Sequence, residues 1–235
     1  MQVGVTERGD AGLDLSWVSQ LKPATIIISK NLTQELKQAL LANQNCIILH
    51  LTCTGFGGSV LEPNVPDAEE NLNRVNELIA TGFPTKQIVL RIDPVIPTVA
   101  GIKTARRVLE LFAQTGITRV RYSFMDMYPH VLERFSAAGI VPPYTSFTAP
   151  VSWQWDAIEL FKQYEDIYVF EACAESTPHK LECVSKKDFD ILGLETEVLP
   201  CTHQRRTCLC AGNKVELLTS KHRCPHQCLY CYWRD

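Results

Sequence analysis

Three cysteines stand within eight residues near the end of the 235-residue chain, in the stretch CPHQCLYCYW (224–233). A C-x3-C-x2-C spacing allows three thiolates to bind three corners of a cubane [4Fe–4S] cluster and leaves the fourth iron without a protein ligand. That open iron can bind S-adenosylmethionine through its amine and carboxylate, as in radical enzymes. The spacing therefore predicts a [4Fe–4S] cluster on Cys224, Cys228 and Cys231.

Zinc is an alternative metal for the same segment. Zinc accepts mixed sulfur and nitrogen ligands, and His222 and His226 lie among the cysteines. Paired C-x2-C knuckles are more typical of zinc than a gap of three residues followed by a gap of two. The spacing favours the cluster, and zinc stays open as the alternative.

Further cysteines predict a second metal centre, an auxiliary iron–sulfur cluster. They lie upstream of the terminal segment and are Cys173, Cys183, Cys201, Cys208 and Cys210. The alternative is that Cys173 is a core strand residue and that the others are reduced thiols. Cys46 and Cys53 belong to an apolar run and are expected to pack in the core.

The composition is that of a globular chain, with 46% hydrophobic and 21% charged residues. No apolar run reaches the roughly 18 residues of a membrane span, and no basic-then-apolar leader follows Met1. We therefore expect a cytoplasmic protein without membrane association, whose ten cysteines serve metal binding or redox chemistry. Residues 199–235 hold six Lys/Arg and two Asp/Glu, which suits anionic cluster sulfurs or a polyanionic partner.

Apolar strand-like runs alternate with amphipathic helix-like runs, the pattern of parallel strands joined by crossover helices. The predicted strands are 2–7, 24–30, 46–53, 87–95, 119–127, 168–175 and 214–220. The predicted helices are 15–21, 33–42, 67–81, 101–115 and 152–166, the last with Ser152 as its N-cap.

These elements predict an α/β fold, a single-domain (β/α) barrel of the TIM type that is closed or partly closed. Residues 1–198 would form the barrel body, and residues 199–235 a cysteine-rich iron–sulfur segment that completes the same domain. An open doubly wound sheet is the alternative. No G-x-G-x-x-G follows a strand, which disfavours the dinucleotide-binding form of that sheet.

Polar residues gather where the predicted strands end, which is the catalytic rim of such barrels. The expected catalytic residues there are Arg91, Asp93, Asp126, Glu171 and Glu175. The expected cofactor-binding residues are Glu7, Arg8, Asp10, Lys30 and Ser123. A structural salt bridge would explain any one of them alone, but together they indicate a polar pocket. The last strand brings the cysteine motif to the same rim.

Short motifs follow one another in order along nearly the whole chain. They are ERGDAG (7–12), ISKNL (28–32), LEPNVPD (61–67), RIDPVI (91–96), SFMDMY (123–128), EACAE (171–175), CLC (208–210) and CPHQCLYCYW (224–233). These motifs resemble the uncharacterised radical-SAM-like bacterial family called domain of unknown function 1848. The resemblance implies iron–sulfur binding and brings no established reaction.

The resemblance also implies a circular permutation. Radical-SAM barrels usually carry the C-x3-C-x2-C after their first strand, whereas here it follows the last. In a closed barrel these two strands are neighbours, so moving the chain break leaves the same residues together. Barrel closure and cluster ligation would hold the chain end, and Glu7, Arg8 and Asp10 would bind the methionyl amine of S-adenosylmethionine.

The expected function is radical chemistry that begins with reductive cleavage of S-adenosylmethionine. The substrate would be a small molecule or, because CPHQCLYCY resembles the motif region of spore photoproduct lyases, a nucleic acid. Tyr122, Tyr128 or Cys173 would return a hydrogen atom, and a flavodoxin or ferredoxin would be the reductant. The alternatives are an iron–sulfur electron-transfer or scaffold protein without this chemistry, and a zinc-bound binding module.

Overall fold

Parallel β-strands form the body of the protein. The structure is a computed structural model that describes residues 1–173, 175, 177–195, 211–218 and 224–233. Its strands are β1 (Val3–Val5), β2 (Ala24–Ser29), β3 (Ile47–Thr52), β4 (Ile88–Val95), β5 (Arg119–Phe124), β6 (Val169–Cys173), β7 (Lys180–Leu181) and β8 (Lys214–Glu216). They pair in the order β7-β6-β5-β4-β3-β2-β1-β8, and every pairing is parallel.

Helices connect most of the strands. They are α1 (Gln34–Ala42), α2 (Ala68–Ala80), α3 (Val99–Phe112), α4 (Pro129–Ala137), α5 (Val151–Lys162) and α6 (Lys186–Ile191), with 3-10 turns at Ser16–Gln20, Gln44–Cys46 and Thr85–Gln87. Among the helices of the described residues, none combines the length and hydropathy needed to cross a membrane.

Side-chain caps start three of these helices. The side chains of Thr33, Asp67 and Thr98 accept hydrogen bonds from the free N–H groups of the first turns of α1, α2 and α3. The prediction that Ser152 caps α5 was wrong. The helix begins at Val151, and Pro150 is its N-cap without a side-chain hydrogen bond.

Both faces of the sheet are covered, as a parallel sheet requires. Strand residues such as Ile27, Leu49 and Leu90 point outward and pack against the helices in one core cluster. Ile26 and its neighbours on adjacent strands point to the inner, concave side and pack with Phe189 of α6 in another. The sheet curls into a half-barrel.

The prediction of a single-domain α/β fold is confirmed, and the half-barrel is compatible with a TIM-like fold. The expected adjacency of the first and last strands is also confirmed, since β1 and β8 pair from Val3↔Lys214 to Val5↔Glu216. The sheet is not closed within the described residues, because its edges are β7 and β8. The predicted boundary at residues 198 and 199 lies outside the described residues.

Candidate functional site

A cavity of about 690 Å³ opens at the carboxyl ends of the parallel strands. Because these ends lie on one side of the sheet, loops that are far apart in sequence meet there. Its walls include most residues of the predicted site: Glu7, Arg8, Asp10, Lys30, Arg91, Asp93, Ser123, Asp126, Cys173, Cys183, Cys224, Cys228 and Cys231. The structure therefore brings these side chains to one cavity, and their chemical roles stay predictions.

The segment 224–233, which carries the three terminal cysteines, is fixed on one side to the loop that follows β3. The Leu229 N–H donates to the Leu61 carbonyl at 3.0 Å. The side chain of Asn64 donates to the Pro225 carbonyl at 2.8 Å. These backbone contacts hold the cysteines against the body of the protein.

On its other side the segment is held by α4. Arg134 donates to the carbonyl oxygen of Cys231 at 2.5 Å and to that of Trp233 at 2.7 Å. His130 Nε2 lies 2.9 Å from the carbonyl oxygen of Tyr232. Although it is near the chain terminus, the cysteine segment is fixed to two separate elements of the fold.

Asp10, in the loop after β1, is the centre of a buried hydrogen-bond network. Its Oδ1 accepts from the Ser29 hydroxyl at 2.6 Å and from the Gly12 N–H at 2.8 Å. Its Oδ2 accepts from the Lys30 N–H at 2.6 Å and lies 2.8 Å from His226 Nε2. Each carboxylate oxygen already has two partners, so the geometry makes Asp10 a positioning group for the cysteine segment.

His226 is fixed by hydrogen bonds on both sides of its ring. Its Nδ1 lies 2.9 Å from the Asn64 carbonyl, and its Nε2 faces Asp10. Burial lowers the pKa of His226, but the hydrogen bond and charge of Asp10 and the Asn64 carbonyl outweigh burial and raise it. Both ring nitrogens face acceptor oxygens, so His226 would have to give up one of these hydrogen bonds to bind zinc, which disfavours the zinc site through His226. His222 lies outside the described residues.

Lys30, Glu62 and Tyr230 form a buried polar cluster beside Cys228. The Lys30 ammonium pairs with Glu62 and lies 3.1 Å from the Tyr230 hydroxyl, which also donates to Glu62. Burial lowers the pKa of Lys30, but the charge of Glu62 and the hydrogen bond to it outweigh burial and raise it. Burial raises the pKa of Glu62, but Lys30 outweighs burial and lowers it. Lys30 therefore keeps a positive charge next to Cys228.

Arg91 and Asp93, near the end of β4, form an ion pair on the cavity wall, and the Ser123 hydroxyl donates to Asp93. Burial raises the pKa of Asp93, but the charge of Arg91 and the Ser123 hydrogen bond outweigh burial and lower it. Arg91 Nε is buried and has no hydrogen-bond partner among the described residues. An unused guanidinium donor on a cavity wall suits a ligand that carries a carboxylate, phosphate or carbonyl oxygen.

Two of the expected catalytic residues lie outside the cavity lining. Glu171, which is 1% exposed, accepts from Arg119 Nε at 2.8 Å and from Arg121 Nε at 3.0 Å in the interior of the half-barrel. Glu175 accepts from the Phe124 N–H at 3.0 Å. Both carboxylates therefore make hydrogen bonds that stabilise the fold outside the cavity lining.

Cys173 and Cys183 are the part of the predicted second centre that the structure describes. Cys173 ends β6, Cys183 follows β7, and both line the cavity. The hydrogen bond between the two thiols, followed by burial, raises the pKa of Cys173 well above its ordinary value. Cys201, Cys208 and Cys210 lie outside the described residues, so the predicted second cluster stays a prediction.

Comparison with known proteins identifies a family and no activity. The model of the family described as "Domain of unknown function (DUF1848)" matches residues 18–233. The chain belongs to this family. No curated protein matches it. The matched range of this DUF1848 protein takes in all three terminal cysteines, while the loop that carries Asp10 precedes it.

The three terminal cysteines of this DUF1848 protein line one cavity. In the described ranges, no group of three or more His, Cys, Asp or Glu side chains is arranged to hold a metal ion. Burial raises the pKa of Cys224 and brings that of Cys228 to about 12, so both thiols keep their protons until a metal displaces them. Three thiol donors on one cavity wall fit the donor set of a cubane cluster, which takes one cysteine at each of three irons.

Three residues that position the cysteine segment were missed from the sequence. Glu62 lies in the motif LEPNVPD, and its pairing with Lys30 had no local signal. Asn64, in the same motif, and Arg134, on a helix that was not predicted, contact the segment mainly through its backbone. Such contacts depend on the tertiary fold, which explains why residue type and spacing did not reveal them.

Proposed function

We propose that this DUF1848 protein is an iron–sulfur protein of the radical-SAM-like type. Cys224, Cys228 and Cys231 would bind a [4Fe–4S] cluster, and S-adenosylmethionine would bind in the adjoining cavity to start radical chemistry on a small-molecule or nucleic-acid substrate. When bound, such a cluster supplies single electrons and an iron open to the amine and carboxylate of S-adenosylmethionine.

One observation carries the proposal: all three cysteines of the C-x3-C-x2-C line a cavity of about 690 Å³ at the carboxyl ends of a parallel sheet, together with several charged side chains. Functional groups of β/α barrels lie at this end. A cluster needs ligands that stay in place, and the segment that carries these cysteines is hydrogen-bonded to the loop after β3 and to α4.

The residues around the cysteines are suited to an anionic group. Lys30, whose side chain is 17% exposed, carries a positive charge beside Cys228 and would offset the charge of thiolates and cluster sulfurs. Asp10 would act through His226, by keeping the cysteine segment in position. Glu7, Arg8 and Ser123 line the same cavity and would bind S-adenosylmethionine directly.

The remaining lining residues would bind the substrate. Arg91 offers a buried Nε donor, and its partner Asp93 is an ionised acceptor. Asp126 lines the same wall. A site that presents cationic and anionic groups together can orient a polar substrate and exclude water around it.

The circular permutation is part of the proposal. The pairing of β8 with β1 supports it, because the cysteine segment then follows the strand next to β1 in the sheet. In this arrangement Glu7, Arg8 and Asp10 occupy the loop after the next strand. The position of the chain break would therefore differ from that in other radical-SAM barrels, while the loops around the cluster would keep the same neighbours.

The test uses the full chain purified without oxygen, with iron, sulfide and zinc measured alongside an EPR spectrum of the dithionite-reduced protein. We expect about four irons per chain, a reduced-cluster signal that changes when S-adenosylmethionine is added, and formation of 5′-deoxyadenosine. The triple variant C224A/C228A/C231A should lose the iron, whereas the control Cys46→Ala should keep it.

The other outcomes overturn defined parts of the proposal. Iron and sulfide without any response to S-adenosylmethionine would leave an electron-transfer or scaffold protein. Zinc without sulfide, even after reconstitution with iron and sulfide, would remove the cluster altogether. Iron that survives in the triple variant would place the cluster on other ligands.

A further inference from the structure

Two thiols outside the terminal segment meet on the wall of the same cavity. Cys173 is the last residue of β6 and pairs in register with Leu181, the last residue of β7. Cys183 follows two residues later, and the two thiols are close enough to interact. Two strand ends that run side by side therefore hold a pair of cysteines together.

The cavity gives this cysteine pair both access and charged neighbours. Cys173 is buried and Cys183 is partly exposed, and both line the cavity. Arg121 donates to the carbonyl oxygen of Cys183, and the Arg91 guanidinium is close enough to interact with both sulfurs. Cationic groups next to a partly exposed thiol favour thiol–disulfide exchange. An accessible cysteine beside a buried one is the arrangement of an attacking and a resolving thiol.

We propose that Cys173 and Cys183 form a reversible dithiol–disulfide couple that exchanges with a disulfide admitted to the cavity. The oxidant is a small-molecule or protein disulfide, and the product is an internal bond between β6 and the segment after β7. This proposal concerns a two-electron couple and does not depend on the terminal cluster.

The exchange is balanced in two steps. The Cys183 thiolate attacks one sulfur of the incoming disulfide, which forms a mixed disulfide and releases one thiolate. Cys173 then gives up its proton as its sulfur attacks the Cys183 sulfur, which closes the internal disulfide and releases the second thiolate. The two protons of the cysteine thiols end on the two released thiols, so the oxidant takes up two electrons and two protons.

Cys183 lies two residues beyond Leu181, the register partner of Cys173, and both cysteines line the same cavity wall. A disulfide between them needs their Cα atoms to come within about 7 Å of each other. Cys46 and Cys53 offer a contrast within the same chain. Cys53 is 3% exposed in the core, and the Cys46 thiol contacts the Asn43 carbonyl at 3.4 Å.

The test treats the full chain, purified without oxygen, with glutathione disulfide. Free thiols are then alkylated, and a digest is analysed by mass spectrometry without reduction. We expect one crosslinked peptide pair that joins Cys173 to Cys183 and disappears after dithiothreitol. Cys173→Ser and Cys183→Ser should each abolish it, and Cys46→Ser should leave it unchanged.

Two results would overturn the proposal. The first is that both thiols remain open to alkylation after glutathione disulfide has been added in excess. The second is that the double variant C173S/C183S contains less iron and sulfide than the parent chain but retains the cluster on the terminal cysteines. Cys173 and Cys183 would then be ligands of a second cluster.

The same oxidation is repeated on C224A/C228A/C231A to separate this proposal from the proposed function. Formation of the crosslink in that variant supports the couple whether or not the terminal cysteines bind a cluster. Loss of the crosslink only in that variant would contradict the independence of the two sites.

Discussion

His226 Nε2 lies 2.8 Å from Asp10 Oδ2, although the two residues are 216 positions apart in the chain. This contact joins the cysteine segment to the loop after β1, the strand that also pairs with β8. Asp10 holds the loop after β2 in addition, through its hydrogen bonds with Ser29 and the Lys30 N–H. One carboxylate therefore connects three loops around the cavity.

The first prediction concerns this carboxylate. Asp10→Asn removes the charge that binds His226 and places an amide donor where two oxygens now accept four hydrogen bonds. A hydrogen bond to a charged group contributes about 1.5–3 kcal/mol, so we expect the segment 224–233 to open more often. Hydrogen exchange of its amides should accelerate by one to two orders of magnitude, at about 1.4 kcal/mol per factor of ten. Iron bound after reconstitution should fall.

Asp14→Asn is the matched control, since Asp14 lies in the same loop and, among the described residues, its side chain accepts a local bond from the Ser16 N–H at 2.9 Å and no other. Its exchange pattern and iron content should equal those of the parent chain. If Asp10→Asn also leaves both quantities unchanged, Asp10 does not position the cysteine segment.

The second prediction concerns the ion pair of Lys30 and Glu62. Glu62 is 1% exposed and provides the counter-charge of Lys30. Glu62→Gln removes this negative charge and leaves the Lys30 ammonium without it. Removal of one partner of a buried pair costs about 3–5 kcal/mol. Urea denaturation of the metal-free protein should show a loss of this size in the free energy of unfolding.

A double-mutant cycle tests the coupling of this pair. Lys30→Met and Glu62→Gln should each destabilise the protein, but the double variant K30M/E62Q should be less unstable than the sum, because no lone charge remains buried. Additive effects would mean that the two side chains contribute independently. Lys186→Met is the surface control, because Lys186 and its partner Asp190 are both exposed, and its effect should stay below about 1 kcal/mol.

The sequence predicted the strands well because buried parallel strands are continuous apolar runs. The predicted run 46–53 became Ile47–Thr52, and 24–30 became Ala24–Ser29. Two short helices were not predicted, although the residues at their starts are typical of helix N-termini. Pro129 starts α4, and Ser185 with Asp188 forms a capping box at the start of α6.

The cavity was partly predictable for a related reason. The carboxyl ends of parallel strands lie at the same edge of a sheet, so Arg91, Asp93 and Ser123 could be assigned to one rim. The direction of a side chain near a strand end could not be predicted in the same way. Glu171 lies on the inner face, two residues before Cys173, and meets arginines there instead of the cavity.

The third prediction concerns Glu171 and pH. The groups that face it are Arg119, Arg121 and Lys187, with Asp188 on the other side of the arginines. Burial raises the pKa of Glu171, but the charges and hydrogen bonds of the arginines outweigh burial and lower it below 4.5. Glu171→Gln should therefore cost about 3–5 kcal/mol near neutral pH.

The sign of the pH dependence follows from the lowered pKa of Glu171. A carboxylate whose pKa is lower in the folded state stabilises the protein fully above the unfolded value of about 4.5, and this stabilisation disappears as pH falls through the folded value. The difference in unfolding free energy between the parent chain and E171Q should thus be constant above pH 4.5 and shrink below it. Urea titrations at several pH values measure this difference, and Glu159→Gln, whose side chain is 61% exposed, should show almost none. A difference that grows on acidification would mean that the arginines do not hold Glu171 ionised.

The E171Q variant should also bind as much iron as the parent chain, because Glu171 lies below the cavity and not in its wall. A loss of iron in this variant would mean that Glu171 contributes to the site.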